Sequence, residues 1–203
     1  MNKSIYRNIF YVKESISEFF KINKKYLFIS IISIVLGFSI GFCVGVSNFS
    51  NFTFINFTDK IILKFLCGES GFLFFLKQSL EYFFIAIILL LINNFPFLSF
   101  INYIFFSFLT FRLIINCIIF CSMSKFTGII YAIFYFIIKL SIIFMFVIIF
   151  MICKSASECS GTSSKLSYYP YKAILIVFAI ILILCLLLLL VTLIFSKFLS
   201  III

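Results

Sequence analysis

The sequence predicts an all-α fold: a polytopic integral membrane helical bundle of about five transmembrane helices with a cytoplasmic N-terminus. Three observations predict it. Apolar residues make up 65% of the 203-residue chain and charged residues 11%, whereas soluble domains run at about 45–50% and about 25%. The apolar residues gather into long runs, Tyr26 to Ser47, Glu81 to Asn93, Phe97 to Cys121, Phe126 to Cys153 and Ala173 to Ser196. A hydrocarbon core of roughly 30 Å takes about 20 such residues as helix. The runs are continuous rather than alternating, which selects helices over barrel strands. No Pro/Gly/Ser-rich linker divides the chain, so residues 26–203 are expected to form one bundle behind a leader of residues 1–25, with spans near 26–47, 72–93, 97–121, 126–153 and 173–196.

The leader sets Lys3, Arg7, Lys13, Lys21, Lys24 and Lys25 against Glu14 and Glu18. Ile5, Ile9, Val12, Ile16 and Phe19 recur at helical spacing within it. Two readings fit. A basic amphipathic helix lies on an anionic membrane surface, or the leader only orients the first span. It is not a cleavable signal, since its apolar run starts late, is long and lacks a small-x-small cleavage site.

In the first span Gly37, Gly41 and Gly45 form a smooth stripe on one face. Small residues let helix backbones approach closely in a membrane, where association rests on packing. This face is expected against another helix, in the bundle or in a partner. Residues 48–78 form the largest stretch outside the spans. Asn48, Asn51 and Asn56 each open an Asn-Phe-Ser or Asn-Phe-Thr triplet. These match glycosylation acceptors, but an Asn- and Phe-rich chain produces them by chance. Asp59 to Leu66 reads as a short amphipathic helix capped by Thr58 or Asp59, and Gly68 to Gly71 as a turn. Phe72 to Leu76 reads as interfacial, which puts Glu81 nearer the surface, in an i, i+4 pair with Lys77.

Asn93-Asn94-Phe95-Pro96 is a tight uncharged turn that makes a hairpin of the second and third spans. The third span carries Asn102, Arg112 and Asn116, with Arg112 placed to snorkel to an interface. Ser122 to Lys125 is the next turn. Lys139 lies near the middle of the fourth span, where a lysine costs roughly 2.5–3.5 kcal/mol on insertion scales. Gly128 and Ala132 share its face, which is therefore expected to pack inward. Three readings of Lys139 stay open: tolerance by snorkelling or water, an ion or proton pathway, or pairing with an acid from another protein. Residues 154–172 read as a polar loop with Lys154, Lys165 and Lys172 against Glu158, before a last span dominated by Leu and Ile.

Charge and cysteines narrow the function classes. The formal net charge of +10 would point to nucleic acid on a soluble protein, but the basic residues sit at segment ends, where orientation signals belong. No nucleic-acid partner is expected; the bilayer is. Their bias, mainly through the leader, places the N-terminus inside and the C-terminus outside a multi-pass protein of the bacterial cytoplasmic membrane. Of seven cysteines, Cys43, Cys117, Cys121 and Cys185 fall in spans, Cys153 and Cys159 on the cytoplasmic side, and Cys67 outside, so no structural disulfide is expected. Cys117 and Cys121 share a face, but the chain has no His, and neither a metal site nor a cofactor is expected. Catalysis needs a positioned pair of titratable groups; with six scattered acids and no His, no catalytic residue is assigned and no enzyme is expected. Phe occurs 33 times, yet Phe, Ile, Asn and Lys are what A/T-rich codons specify, so the aromatic content argues little for a ligand site.

The order of parts resembles the stage II sporulation protein M family: a basic leader, a glycine-bearing first span, an outer loop ending in an amphipathic stretch, a tight hairpin, two longer spans and a last one. The resemblance runs from Tyr6 to Cys159, with its closest stretch at Ser124-Lys125-Phe126-Thr127-Gly128-Ile129, which enters the fourth span as the family's turn-and-glycine segment does. It departs at Phe111 to Cys117, where members often carry repeated glycines, and at Ile138-Lys139, where many carry a proline and a polar residue. The resemblance carries over no catalytic residue. It implies a membrane anchor that recruits peptidoglycan-remodelling enzymes, an amidase and a lytic transglycosylase, to the septum during sporulation engulfment. The expected function is thus a non-enzymatic scaffold with membrane or wall-hydrolase partners; a small permease or transporter subunit is the alternative. Lys139, Gly128, Ala132, Gly37, Gly41, Gly45, Arg112 and Asn116 are the candidate residues for intramembrane partner contact or packing.

Overall fold

A computed structural model describes residues 17–47, 71–93, 98, 100–123, 125–159 and 169–199. They form five long helices: α1 Lys24–Ser47, α2 Gly71–Asn93, α3 Phe100–Met123, α4 Lys125–Cys159 and α5 Tyr169–Leu199. Each is long and apolar enough to cross a membrane, and no strand occurs among the described residues. The protein is an all-α, multi-pass membrane protein.

Hydrocarbon offers no partner for a backbone N–H or C=O, so these Ile- and Phe-rich segments are helical despite the modest helix propensity of both residues. Several side-chain hydroxyls are satisfied inside their own helices. Ser33, Ser39, Ser141 and Thr192 each donate to the carbonyl four residues back, at 2.7–3.0 Å. α5 takes Pro170 in its first turn, where the missing N–H has no helical acceptor to lose.

Several boundaries correct the sequence reading. α2 starts at Gly71, within a residue of the expected span of 72–93, and Glu81 falls near its midpoint rather than near the surface. α4 runs on through Cys159, into what reads as a loop from residue 154. Hydropathy marks where a helix is apolar; it does not mark where the helix stops. Lys154 is buried there. Before α1, residues 17–22 are already helical, and Asn23 keeps the ladder intact, donating to Phe19 O at 3.1 Å and accepting from Leu27 N at 3.0 Å. Asn23 is buried and its Oδ1 accepts from Ser155 Oγ at 2.8 Å, while Phe19 and Phe20 pack on the core. The last turns of the leader are therefore joined to the bundle. The rest of the leader, the Asn triplets, the 59–66 stretch, the 68–70 and 94–96 turns and Cys67 lie outside the described residues.

Side-chain pairs fix the relative directions. α1 and α3 ascend together, Ser33 meeting Ser107, Gly41 meeting Phe111 and Gly45 meeting Ile118. α3 and α4 are antiparallel, with Phe106 against Phe150 at one end and Phe120 against Tyr131 at the other. α5 runs antiparallel to α4, since Thr192 lies beside Tyr131 near the end of one and the start of the other. α2 follows α4, Gln78 meeting Lys139 and Tyr82 meeting Phe146. Successive spans thus alternate. α4 is the hub, touching all four other helices, and α1 lies outboard on α3. Tyr131, Tyr135, Phe146 and Phe150 of α4 are wholly or almost wholly buried, and Phe120 sits edge-on to Tyr131 and Tyr135 at centroid distances of 4.9 and 5.1 Å.

Candidate intramembrane polar site

α2, α3 and α4 each bring an ionisable side chain to the same depth, near the middle of the span. Arg112 Nη1 of α3 donates to Glu81 Oε1 of α2 at 2.8 Å. Lys139 Nζ of α4 donates to Gln78 Oε1 at 3.0 Å and to the Tyr82 hydroxyl. The ammonium also lies 4.9 Å from the Tyr82 ring centroid and 5.5 Å from that of Tyr135, within cation–π range. Asn116, one turn on from Arg112, is buried and donates to the Arg112 carbonyl at 2.9 Å.

Glu81, Tyr82, Arg112, Asn116, Tyr135 and Lys139 line a cavity of about 40 Å³. On the same measure a water needs roughly 10–15 Å³, so the space is large enough for water and too small for an organic solute, whose sites run to about 300–1,000 Å³. Glu81 Oε2 is buried beside it with no hydrogen-bond partner among the described residues. A water there would satisfy that oxygen, and Lys139 and Arg112 supply the positive field that keeps a carboxylate tolerable at this depth.

The predicted residues divide between two places. Lys139, Arg112 and Asn116 converge on the polar centre. Arg112 does not snorkel: a carboxylate on the neighbouring helix meets it within the bundle, and this interaction takes the place of the interface. Gly128 and Ala132 are buried on the face of Lys139, as expected, and the Ala132 carbonyl accepts Cys117 Sγ at 3.7 Å. Gly37, Gly41 and Gly45 are all buried, and their stripe meets α3 of the same chain. Gln78, Tyr82 and Tyr135 were not singled out by sequence. Gln78, Glu81, Tyr82 and Ile85 follow i, i+3, i+4, i+7 and share one face of α2, a spacing the sequence offers within the expected span of 72–93.

Two larger hollows lie elsewhere. One of about 490 Å³, between α1, α3 and α4, is lined by Phe38, Ile114, Cys117, Ile133 and Phe136. Another of about 390 Å³, between α2 and α5, is lined by Phe75, Leu76, Phe83, Phe178 and Leu182. Both linings are almost wholly apolar. Among the described residues no three His, Cys, Asp or Glu side chains are grouped to hold a metal. The chain matches no family, curated protein or solved structure with which it was compared.

Proposed function

We propose that the protein is a non-enzymatic membrane scaffold of the bacterial cytoplasmic membrane, which holds peptidoglycan-remodelling enzymes at a membrane site in the manner of the stage II sporulation protein M family it resembles. One observation carries the reading: the polar centre is spent on joining helices. Glu81 with Arg112, and Lys139 with Gln78 and Tyr82, each tie two different spans, and the space among them is water-sized. Secondary transporters place a substrate-sized polar site at the midplane, built from discontinuous helices; the described spans are unbroken helices. A small permease subunit is the second reading, favoured only by the depth of the ionisable cluster, which would suit a proton or small ion better than a solute.

Crosslinked affinity purification of the tagged protein from native membranes tests this, with a flux assay on reconstituted vesicles beside it. Recovery of an amidase or a transglycosylase, with no solute flux, is the expected outcome. Recovery of an ATPase or permease subunit, or a flux that Lys139→Ala changes, would replace the scaffold with transport.

A further inference from the structure

The helix of α1 continues beyond its first lysine: residues 17–22 extend it, and its hydrogen-bond ladder passes through Asn23. Asn23, Ser30 and Gly37 turn one face of it into the bundle, where all three are buried. The opposite face carries Lys21, Lys25, Phe28, Ile32 and Leu36 at steps of three and four, with Lys24 beside them, and all six are exposed. The stripe is cationic for its first turn and apolar from there on. Its depth follows from its neighbours. Asn23 meets Ser155 of α4, and one turn further in Tyr26 and Tyr103 both set their rings edge-on to Phe150. Tyrosines gather where hydrocarbon meets headgroups. The lysines therefore stand at headgroup level, while Phe28 and Ile32 lie roughly 5 and 10 Å further along the axis than Lys25, at the level of acyl chains. No ion pair or hydrogen bond of the described residues engages the three ammonium groups, and Glu18 is the one acid of residues 17–47.

We propose that this stripe holds one anionic phospholipid, its phosphate among Lys21, Lys24 and Lys25 and an acyl chain along Phe28, Ile32 and Leu36. The inference goes beyond the scaffold reading and does not depend on it. Charge complementarity selects the headgroup: three compact cations against one carboxylate recruit an anion, and lysine binds phosphate as a point charge. Lys21 and Lys25 lie one turn apart, about 6 Å between Cβ atoms, close enough for one phosphate to meet both. The apolar run beneath them selects the rest of the ligand. A free phosphate or a nucleic acid would use the lysines and leave Phe28, Ile32 and Leu36 unmatched. An amphiphile with its charge one turn above its chain matches both halves of the stripe.

The chain has no tryptophan, so Phe28→Trp, at a side chain 63% exposed, places a sole reporter beneath the lysines. The purified full-length variant is reconstituted in phosphatidylcholine–phosphatidylglycerol vesicles. One lipid or the other carries bromine on the upper part of its acyl chains, which quenches a tryptophan in contact with it. Both leaflets hold the same mixture, so the orientation of the protein does not enter. Phosphatidylglycerol is expected to occupy the reporter's surroundings about fivefold more favourably than phosphatidylcholine, the effect of one lysine at a phosphate. Replacing Lys21, Lys24 and Lys25 together by Gln is expected to abolish the preference, and replacing them by Arg to retain it. Val46→Trp, exposed on the same face at the other end of α1, is expected to show none. Circular dichroism checks that each variant folds. Equal quenching by the two lipids at Phe28→Trp overturns the proposal, as does a preference that survives the Gln variant. A preference as strong at Val46→Trp also overturns it, because the net charge of +10 and not this stripe would then recruit the lipid. Loss of the preference in inorganic phosphate, but not in chloride of equal ionic strength, would make the ligand a free anion rather than a lipid.

Discussion

Arg112 and Glu81 are each tolerable in the membrane because of the other. Removing one member of a buried ion pair strands the remaining charge, and this costs more than the pair itself contributes. The partial accessibility of both side chains reduces that penalty. Glu81→Gln and Arg112→Gln are each expected to destabilise the bundle by about 1–3 kcal/mol, and the double variant by less than the sum, with a coupling of about 1–2 kcal/mol. Unfolding in mixed micelles against the mole fraction of denaturing detergent measures all three; strict additivity would dissolve the pair as a unit. At this scale the sequence is half legible. Lys139 stands out because a lysine amid Ile and Phe contradicts its surroundings. Its acceptors do not stand out, because Gln78 and Tyr82 lie beside Lys77 and Glu81, a polar stretch that reads as the interfacial part of the second span. Arg112 reads as a snorkelling residue from its position in the span, because nothing in the sequence pairs it with Glu81 of another helix.

The α1–α3 contact depends on the absence of side chains. A Cβ on Gly37 would fall on the Ser107 carbonyl oxygen and Thr110 Oγ1, and one on Gly41 would lie 3.0 Å from the Phe111 carbonyl oxygen and 3.1 Å from Ile114 Cβ. A Cβ on Gly45 would instead meet the Cδ1 of Ile118, the far end of a flexible side chain. The backbones can therefore approach until Ser107 Oγ donates to Ser33 O across the interface at 2.7 Å. Gly37→Ala is expected to cost about 1–3 kcal/mol, because only a backbone shift relieves it. Gly45→Ala should cost under about 1 kcal/mol, since a rotamer change suffices. Disulfide crosslinking between cysteines placed at Ser33 and Ser107 reports the same difference, falling for the first substitution and holding for the second. The stripe itself is legible in the spacing of the glycines. Its partner is not, because every other span is just as apolar and only the small and hydroxylated surface of Ser107 and Thr110 selects α3. The helix ends at Cys159 and Tyr169 were hidden for another reason: polar residues continue a helix wherever the backbone ladder gains from it.

Alternation of five spans sets the two ends of the bundle apart. The start of α1 shares an end with the finish of α4, where Asn23 Oδ1 accepts from Ser155 Oγ, and α5 finishes at the opposite end, where Tyr131 donates to Thr192, whose own hydrogen goes to Leu188 O. The shared end carries Lys21, Lys24, Lys25, Lys154 and Lys172, a set of basic residues of the kind that retains a segment in the cytoplasm. Geometry gathers these residues at one end, and the distribution of basic residues predicts that this end faces the cytoplasm. A protease tag at the N-terminus is expected to be protected in intact cells and cleaved in inverted vesicles, and a tag at the C-terminus to behave the opposite way. Tags cleaved together would remove a span from the count. Neutralising Lys21, Lys24 and Lys25 tests the cause. Orientation should become mixed, because these residues flank the first span directly and Lys154 and Lys172 are then the basic residues left at that end of the described chain. Asn23 is indifferent to the change, since inserting the chain the other way does not alter its bond to Ser155 and so leaves the fold intact. The neutralised protein is thus expected to keep its stability in detergent while losing its uniform orientation in the membrane. An unfolded product would mean that the lysines hold the bundle together rather than aim it.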